Sequence, residues 1–342
     1  MILITGGLGY IGSHMALYLM SKGHEVVLAD NLSQSSMAVL ERLEYITKMY
    51  IPFVRLDVRN TPVLQKVFEQ YTIDYVIHAA GFKSLEEAKS RPMEYYNNNV
   101  GCMMSLLRAL QRSNVKRLVN LSSISVYGAS GHDWREDSEL QNKLSNPYIN
   151  GQKMIEQMLQ DTYQADPMWQ IINVRLSNVI GAYGSNPEQD SPLGEWTPLA
   201  PKSVLPNMLQ VAAGQKDAFD IHQHGLDTKD GTAERNYIHV MDAIEAVYQL
   251  MLWSNTQANL FESFNVVSDD IVSLKQLLQS VERVTGQTLA TLNSEEQRLS
   301  FDKISANNQK LKSTTPWQSK RTLDDAVRSQ WQYYQSILGI AS

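Results

Sequence analysis

Two textures alternate through the first half of the chain: short runs that are apolar along their whole length, and longer stretches in which apolar residues recur every three or four positions. The short runs predict strands at Ile2–Ile4, Glu25–Ala29, Phe53–Leu56, Tyr75–His78, Arg117–Leu121 and Gln170–Val174. The longer stretches predict helices near Ile11–Ser21, Val63–Tyr71, Met93–Arg112 and Tyr148–Tyr163. Strands without a polar face need cover on both sides, so the pattern reads as an α/β, doubly wound parallel sheet built from right-handed crossovers. After about residue 176 the texture changes. Gly, Pro, Asn and Ser crowd the segment from Gly181 to Pro206 and the periodic elements shorten, which predicts a smaller C-terminal substrate domain. The expected division is 1–176 and 177–342, with some later segments returning to the first unit, and Arg321–Leu338 reads as a closing amphipathic helix. No internal repeat or low-complexity tract interrupts this plan.

Composition narrows the function classes. The 342 residues carry Lys+Arg 30 against Asp+Glu 36, a net charge of −6, with 43% hydrophobic and 19% charged residues. That is ordinary globular composition, and it supplies no basic footprint for a nucleic acid or an anionic membrane. No apolar stretch is long enough to span a bilayer, and Met1–Gly6 does not resemble a signal peptide, so the fold is expected to start at residue 1, in the cytoplasm. The single cysteine, Cys102, has no disulfide partner and reads as a small core side chain. His222 and His224 would share a face on a strand, but no third ligand lies nearby, and no metal centre is expected. Trp331, Tyr333 and Tyr334 on the last helix fit either packing or a dimer surface.

The strongest local signal is Thr5-Gly6-Gly7-Leu8-Gly9-Tyr10-Ile11-Gly12-Ser13-His14, which follows the first strand and opens a helix. Gly6, Gly9 and Gly12 allow a tight turn and close backbone approach to a pyrophosphate, and the helix N-terminus offers free N–H groups and a positive dipole end. Asp30 ends the second strand near the offset of an acidic residue that holds an adenosine ribose. Its charge repels a 2′-phosphate, so the expected cofactor is NAD rather than NADP, on a Rossmann sheet. A second cofactor-facing set is Asp57 and Val58 after the third strand, and Ala79-Ala80-Gly81-Phe82-Lys83 after the fourth. Lys83 either reaches a phosphate or is a solvated surface lysine.

The fifth strand runs into Leu121-Ser122-Ser123-Ile124-Ser125-Val126-Tyr127-Gly128, and Tyr148 follows at the start of a helix, behind Pro147. With Asp30-Asn31-Leu32, Glu94-Tyr95-Tyr96-Asn97-Asn98-Asn99-Val100 and Arg235-Asn236-Tyr237-Ile238-His239-Val240-Met241-Asp242, these motifs resemble the extended short-chain dehydrogenase/reductase group, specifically the UDP-galactose (UDP-glucose) 4-epimerases. The resemblance covers nearly the whole chain. It implies bound NAD, a UDP-sugar substrate, a homodimer formed through a helix pair of the first domain, and a 4-keto intermediate. It makes Tyr148 the acid/base and Ser123 its partner. It adds Tyr10, Ile11, Asn31, Asn98, Ser122 and the residue at position 152 to the cofactor contacts, and Lys83, Asn178 and Arg235, with Ser123 and Tyr148, to the substrate contacts.

The pattern then departs from the family. Its Tyr-x-x-x-Lys becomes Tyr148-Ile149-Asn150-Gly151-Gln152, and Met154-Ile155-Glu156-Gln157 aligns without a gap, so Gln152 takes the lysine position. Glutamine keeps a hydrogen bond to a ribose hydroxyl but brings no charge to lower the tyrosine pKa. Lys153 is a poor substitute, because one residue along a helix turns the side chain by about 100°. Asn236 stands for an aspartate, Asn293 and Glu296 before Ser300-Phe301 for an arginine and an aspartate before Tyr-Trp, and Lys202-Ser203-Val204 for Asn-Asn-Leu. Leu176-Ser177 and Val179 flank Asn178 where the family has Tyr-Phe and proline. An epimerase with reduced or altered activity, a non-catalytic NAD(H)-binding sensor or partner protein, and another nucleotide-sugar-modifying enzyme all stay open. Ile124-Ser125 after Ser123 argues against dehydratase chemistry, which uses Asp-Glu there.

Overall fold

The computed structural model describes residues 1–184, 192–195, 203–221, 225–294 and 301–339. Its centre is a parallel sheet of seven strands: β1 (Ile2–Thr5), β2 (Val26–Asp30), β3 (Phe53–Arg55), β4 (Tyr75–His78), β5 (Arg117–Ser123), β6 (Gln170–Leu176) and β7 (Leu260–Val266), in the order β7-β6-β5-β4-β1-β2-β3. Alternate residues of these strands feed two apolar layers. Leu3, Val27, Val76, Leu118 and Ile171 pack with Leu106, Leu110, Ile155 and Leu159 on one face. Ile4, Leu28, Ile77, Val119 and Ile172 pack with Met15, Leu19, Ile244 and Val247 on the other. Each fully buried Leu, Ile or Val contributes about 1.5–3 kcal/mol. The chain leaves β1 for β2 on one side and reaches β4 on the other, so the carboxyl ends of β1 and β4 flank the crevice in which such sheets bind ligands.

Three differences from the sequence reading matter. A seventh strand, β7, comes from the second half and pairs with β6 along its whole length, from Leu260 beside Gln170 to Val266 beside Leu176. An additional helix, Met37–Thr47, is capped by Ser36, whose hydroxyl accepts from the Ala38 N–H. The helix expected over Met93–Arg112 is Pro92–Tyr95, a π-helical turn Tyr96–Val100, and Gly101–Ser113. The widened turn brings both Asn98 and Asn99 into the interior.

A smaller sheet is ordered Ile271–Ser273, Glu234–His239, Lys303–Ala306 and Gly131–Trp134, the last strand drawn from within 1–176, with Asn178–Ile180 beside Tyr237–His239. Helices Val204–Ala212, Leu274–Thr285 and Leu323–Leu338 close over a core that includes Leu209, Phe219, Leu277, Val281 and Val327. Tyr333 and Tyr334 are buried and Trp331 packs on this core, so these aromatics serve packing. No helix among the described residues is long and apolar enough to cross a membrane.

Candidate active site

The turn after β1 is shaped by what its glycines lack. Gly6 has φ +68°, and a Cβ there would sit 2.7 Å from the Ala80 backbone. A Cβ on Gly12 would lie 2.1 Å from the Gly6 carbonyl oxygen. Both positions therefore require glycine for the helix Tyr10–Ser21 to enter this close to the strand ends. Gly9 is its N-cap and offers no side-chain cap, leaving the first turn open toward the crevice with Tyr10 and Ile11.

That crevice is a cleft of about 550 Å³ lined by Gly6, Gly9, Asp30, Asn31, Val58, Ala80 and Asn98 among others. Asp30 ends β2, and its carboxylate accepts from the N–H groups of Leu8 (3.1 Å) and Leu32 (2.9 Å) and from the Ser35 hydroxyl (2.8 Å). Asp57 accepts from Arg59 Nε at 2.9 Å, and that guanidinium holds its carboxyl down at about 2. Asn99, which the sequence reading passed over, fixes the loop after β4: its amide oxygen accepts from the Phe82 N–H at 2.8 Å and its amide donates to the Phe82 carbonyl at 2.9 Å. The Tyr10 hydroxyl donates to the Gly181 carbonyl, tying the helix to the start of the second unit. Lys83 is exposed, and its ammonium pairs with Glu195 at 2.8 Å, where Ser203 donates to the same carboxylate at 2.7 Å.

Ser122 and Ser123 end β5 on opposite sides of the strand. The Ser122 hydroxyl donates to Glu156 Oε1 at 2.6 Å, inside a buried network where Arg175 Nη2 donates to Glu156 Oε2 at 2.8 Å and the Tyr127 hydroxyl donates to Asn265 at 2.7 Å. Ser122 thus anchors the strand, its proton committed to Glu156. Ser123 faces the site, where its oxygen accepts from the Ser125 hydroxyl at 2.9 Å and from the Ser125 N–H at 3.2 Å.

Tyr148 stands in the first turn of helix Pro147–Ala165, whose N-cap Asn146 accepts from the Tyr148 N–H at 2.9 Å. Desolvation raises the Tyr148 phenol above its ordinary value, and the hydrogen bond with Ser123 pulls it part of the way back. One turn on, Gln152 is buried and its Oε1 has no hydrogen-bond partner. One turn further lies Glu156, so Tyr148, Gln152 and Glu156 share a helix face. Lys153 leaves that face: its ammonium donates to the Gln141 carbonyl and, at 2.8 Å, to Asn142. A buried acceptor without a donor is costly in a closed structure, and the ribose hydroxyls of a dinucleotide are donors of the right kind for Gln152. Together with the glycine cradle and Asp30, this fits NAD.

In the second unit, Arg235 is buried and donates to the main-chain carbonyls of Glu234 (2.7 Å), Phe301 (2.6 Å) and Asp302 (3.3 Å). Asn178 is exposed beside Tyr237. Asn236 donates to the carbonyls of Ser268 (3.0 Å) and Asp270 (3.2 Å) and accepts from the Ala306 N–H (3.0 Å), a set that an aspartate does not satisfy. Asp242 accepts from the N–H groups of Lys320 and Arg321 at 3.1 and 2.9 Å, which makes it an anchor for that loop. Lys202, His222, His224, Glu296 and Ser300 lie outside the described residues.

Residues 2–266 match the model of the NAD dependent epimerase/dehydratase family, and the chain belongs to that family. Within it, the chain is 34% identical to UDP-glucose 4-epimerase of Neisseria meningitidis serogroup C, over 97% of this chain and 96% of that one. It is 32% identical to UDP-glucose 4-epimerase of Bacillus subtilis, over 98% of this chain and 97% of that one. The structure of Bifidobacterium longum UDP-glucose 4-epimerase in complex with NAD+ and UDP superposes with a TM-score of 0.93 at 29% identity, covering 99% of both chains.

Proposed function

We propose that the chain is an NAD-dependent nucleotide-sugar 4-epimerase that interconverts UDP-glucose and UDP-galactose. The observation that carries this reading is the Ser123–Tyr148 hydroxyl pair, with Ser123 at the carboxyl end of β5 and Tyr148 in the first turn of helix Pro147–Ala165. When bound, NAD would supply reversible hydride acceptance at sugar C4.

The side chains supply the rest. Tyr148 takes the proton from the 4-hydroxyl, Ser123 donates a hydrogen bond to the same oxygen, and Tyr148 returns the proton after the 4-keto sugar has turned over. Gln152, Asn98, Asp30, Asn31 and Val58 would hold the cofactor, together with Tyr10 and Ile11 in the first turn after the glycine loop. Asn178 and Arg235 hold the nucleotide-sugar, and Lys83 joins them by exchanging Glu195 for a phosphate oxygen. The work divides into cofactor binding by 1–176 and sugar-nucleotide binding by 177–342, with β7 returning to the first sheet and Gly131–Trp134 lent to the smaller one.

The proposal extends to a cytoplasmic homodimer. Exposed Met104 and Met154 on the adjacent helices Gly101–Ser113 and Pro147–Ala165 are the apolar surface that a helix-pair interface would cover. Sedimentation of the native protein and of Met104→Lys/Met154→Lys tests it, with a monomeric native protein as the refuting result.

Conversion of UDP-galactose to UDP-glucose by the purified protein, with NAD occupancy recorded, tests the catalytic reading. Turnover lost in Tyr148→Phe is the expected result. A second reading, a non-catalytic NAD(H)-binding protein, draws its support from Gln152 and from the engagement of Lys153 elsewhere; NAD occupancy without turnover would favour it.

A further inference from the structure

A serine hydroxyl has one proton to donate and two lone pairs with which to accept. At Ser123 both lone pairs are engaged by one neighbour: Ser125 donates its hydroxyl at 2.9 Å and its backbone N–H at 3.2 Å. The geometry follows from the single 3₁₀ turn Ile124–Tyr127, which begins at Ser123 and folds Ser125 back over it. Ser125 is buried, so no bulk water competes for the Ser123 oxygen from that side. Tyr148 is the side-chain partner that remains for the Ser123 proton.

We infer that Ser125 is a positioning residue: by filling the acceptor capacity of Ser123 it makes that serine a donor only, aimed at the phenolic oxygen of Tyr148 and at the sugar oxygen that replaces it. A Ser123 with a free lone pair can accept the Tyr148 proton, which stabilises the phenol. A Ser123 locked as donor stabilises the phenolate. The Ser125 hydroxyl also polarises Ser123, because each hydroxyl in such a chain strengthens the next. In a site where position 152 carries no charge, this hydroxyl chain is what the protein itself offers to draw Tyr148 toward its basic form.

Ser125→Ala removes the hydroxyl and keeps the N–H; Ser125→Thr restores a hydroxyl. The inference rests on the epimerase reading for its kinetic arm only. In that arm, kcat for UDP-galactose is expected to fall about three- to tenfold in Ser125→Ala, as for one lost hydrogen bond, with KM within about twofold. Ser125→Thr is expected to recover it. The second arm needs no turnover: phenolate absorbance of the NAD-loaded protein is titrated with pH against a Tyr148→Phe reference in each background. Here the Tyr148 transition is expected to move up by about half a unit to one unit in Ser125→Ala and to return in Ser125→Thr. An unmoved transition in Ser125→Ala, or equal losses in the Ala and Thr variants, overturns the inference. A native protein with no turnover but with the shift in Ser125→Ala overturns the epimerase reading alone. Should Ser125→Ala melt before titration, Ser125→Cys, a weak donor, takes its place with an intermediate shift expected.

Discussion

Replacing Gln152 by lysine is expected to lower the pH at which Tyr148 becomes a base. In the native chain desolvation raises the phenol, and the Ser123 hydroxyl is what opposes it. Positions 148 and 152 are one helical turn apart, a spacing that puts Cβ atoms about 5–6 Å from each other. Two unit charges about 6 Å apart at an effective dielectric of about 20 interact by about 332/(20 × 6), or about 3 kcal/mol. That corresponds to about two pH units. Position 152 is buried, so an ammonium there loses hydration and part of the gain is offset. The net expectation is a shift of about one to two units, a ten- to hundredfold gain in phenolate at any pH below the transition. The sign is fixed by the chemistry: the acceptor of the sugar proton must be deprotonated, so kcat climbs with pH up to the Tyr148 pKa, and lowering that pKa moves the climb to lower pH. The assay is kcat against pH for UDP-galactose conversion at equal NAD occupancy in the native protein, Gln152→Lys and the uncharged Gln152→Met. Near neutral pH the lysine variant should be the fastest, and the native and lysine curves should converge at high pH. Superimposable native and lysine profiles would refute the reasoning, as would a uniform gain with no displacement of the climb.

Four further outcomes are expected. Lys153→Met should leave the Tyr148 transition where it is and lower the unfolding free energy by about 1 kcal/mol, because that lysine holds Gln141 and Asn142 rather than the active site; thermal melts and the pH profile check both halves. Gly12→Ala should abolish NAD retention after gel filtration, since its Cβ would sit 2.1 Å from the Gly6 carbonyl oxygen and the loop must open to admit it. Asn236→Asp should destabilise the fold by about 2–4 kcal/mol in urea melts, because a carboxylate would face the carbonyls of Ser268 and Asp270 without a proton to donate. Burial holds His78 at about 4 and His239 at about 3, both below the unfolded value near 6.5, so below that value the unfolded chain binds protons that the folded chain refuses. Stability contributed by the two rings is therefore full above about pH 6.5 and falls toward pH 4, by about 2 kcal/mol each at pH 5. His78→Gln should flatten that fall in melts recorded across the range.

Why some of this was legible in the chain and some was not comes down to how local each physical requirement is. β2 and β4 are buried at every residue, so an unbroken apolar run announces them. β7 is interrupted by Glu262, Ser263 and Asn265, and it lies at the sheet edge against a partner about 90 positions earlier, so nothing in its own neighbourhood marks it as part of the first sheet. Gly6 and Gly12 are legible for the opposite reason: the exclusion of a Cβ is a contact within the loop and its neighbouring strand end, and no other residue type meets it. Gln152 is legible as a missing charge, but its meaning depends on where Lys153 goes, and that is decided by Gln141 and Asn142 in the preceding loop. Asn99 and Ser125 stand inside legible motifs, but the parts they play there are not legible. Asn99 reaches Phe82 only because a π-helical turn rotates it inward, and Ser125 saturates Ser123 only because a 3₁₀ turn folds it back. Single-turn deviations in backbone winding leave no periodic trace, yet here one fixes the loop after β4 and the other places Ser125 on Ser123. The chemistry of this site is therefore carried as much by two irregular turns as by the residues whose identities advertise it.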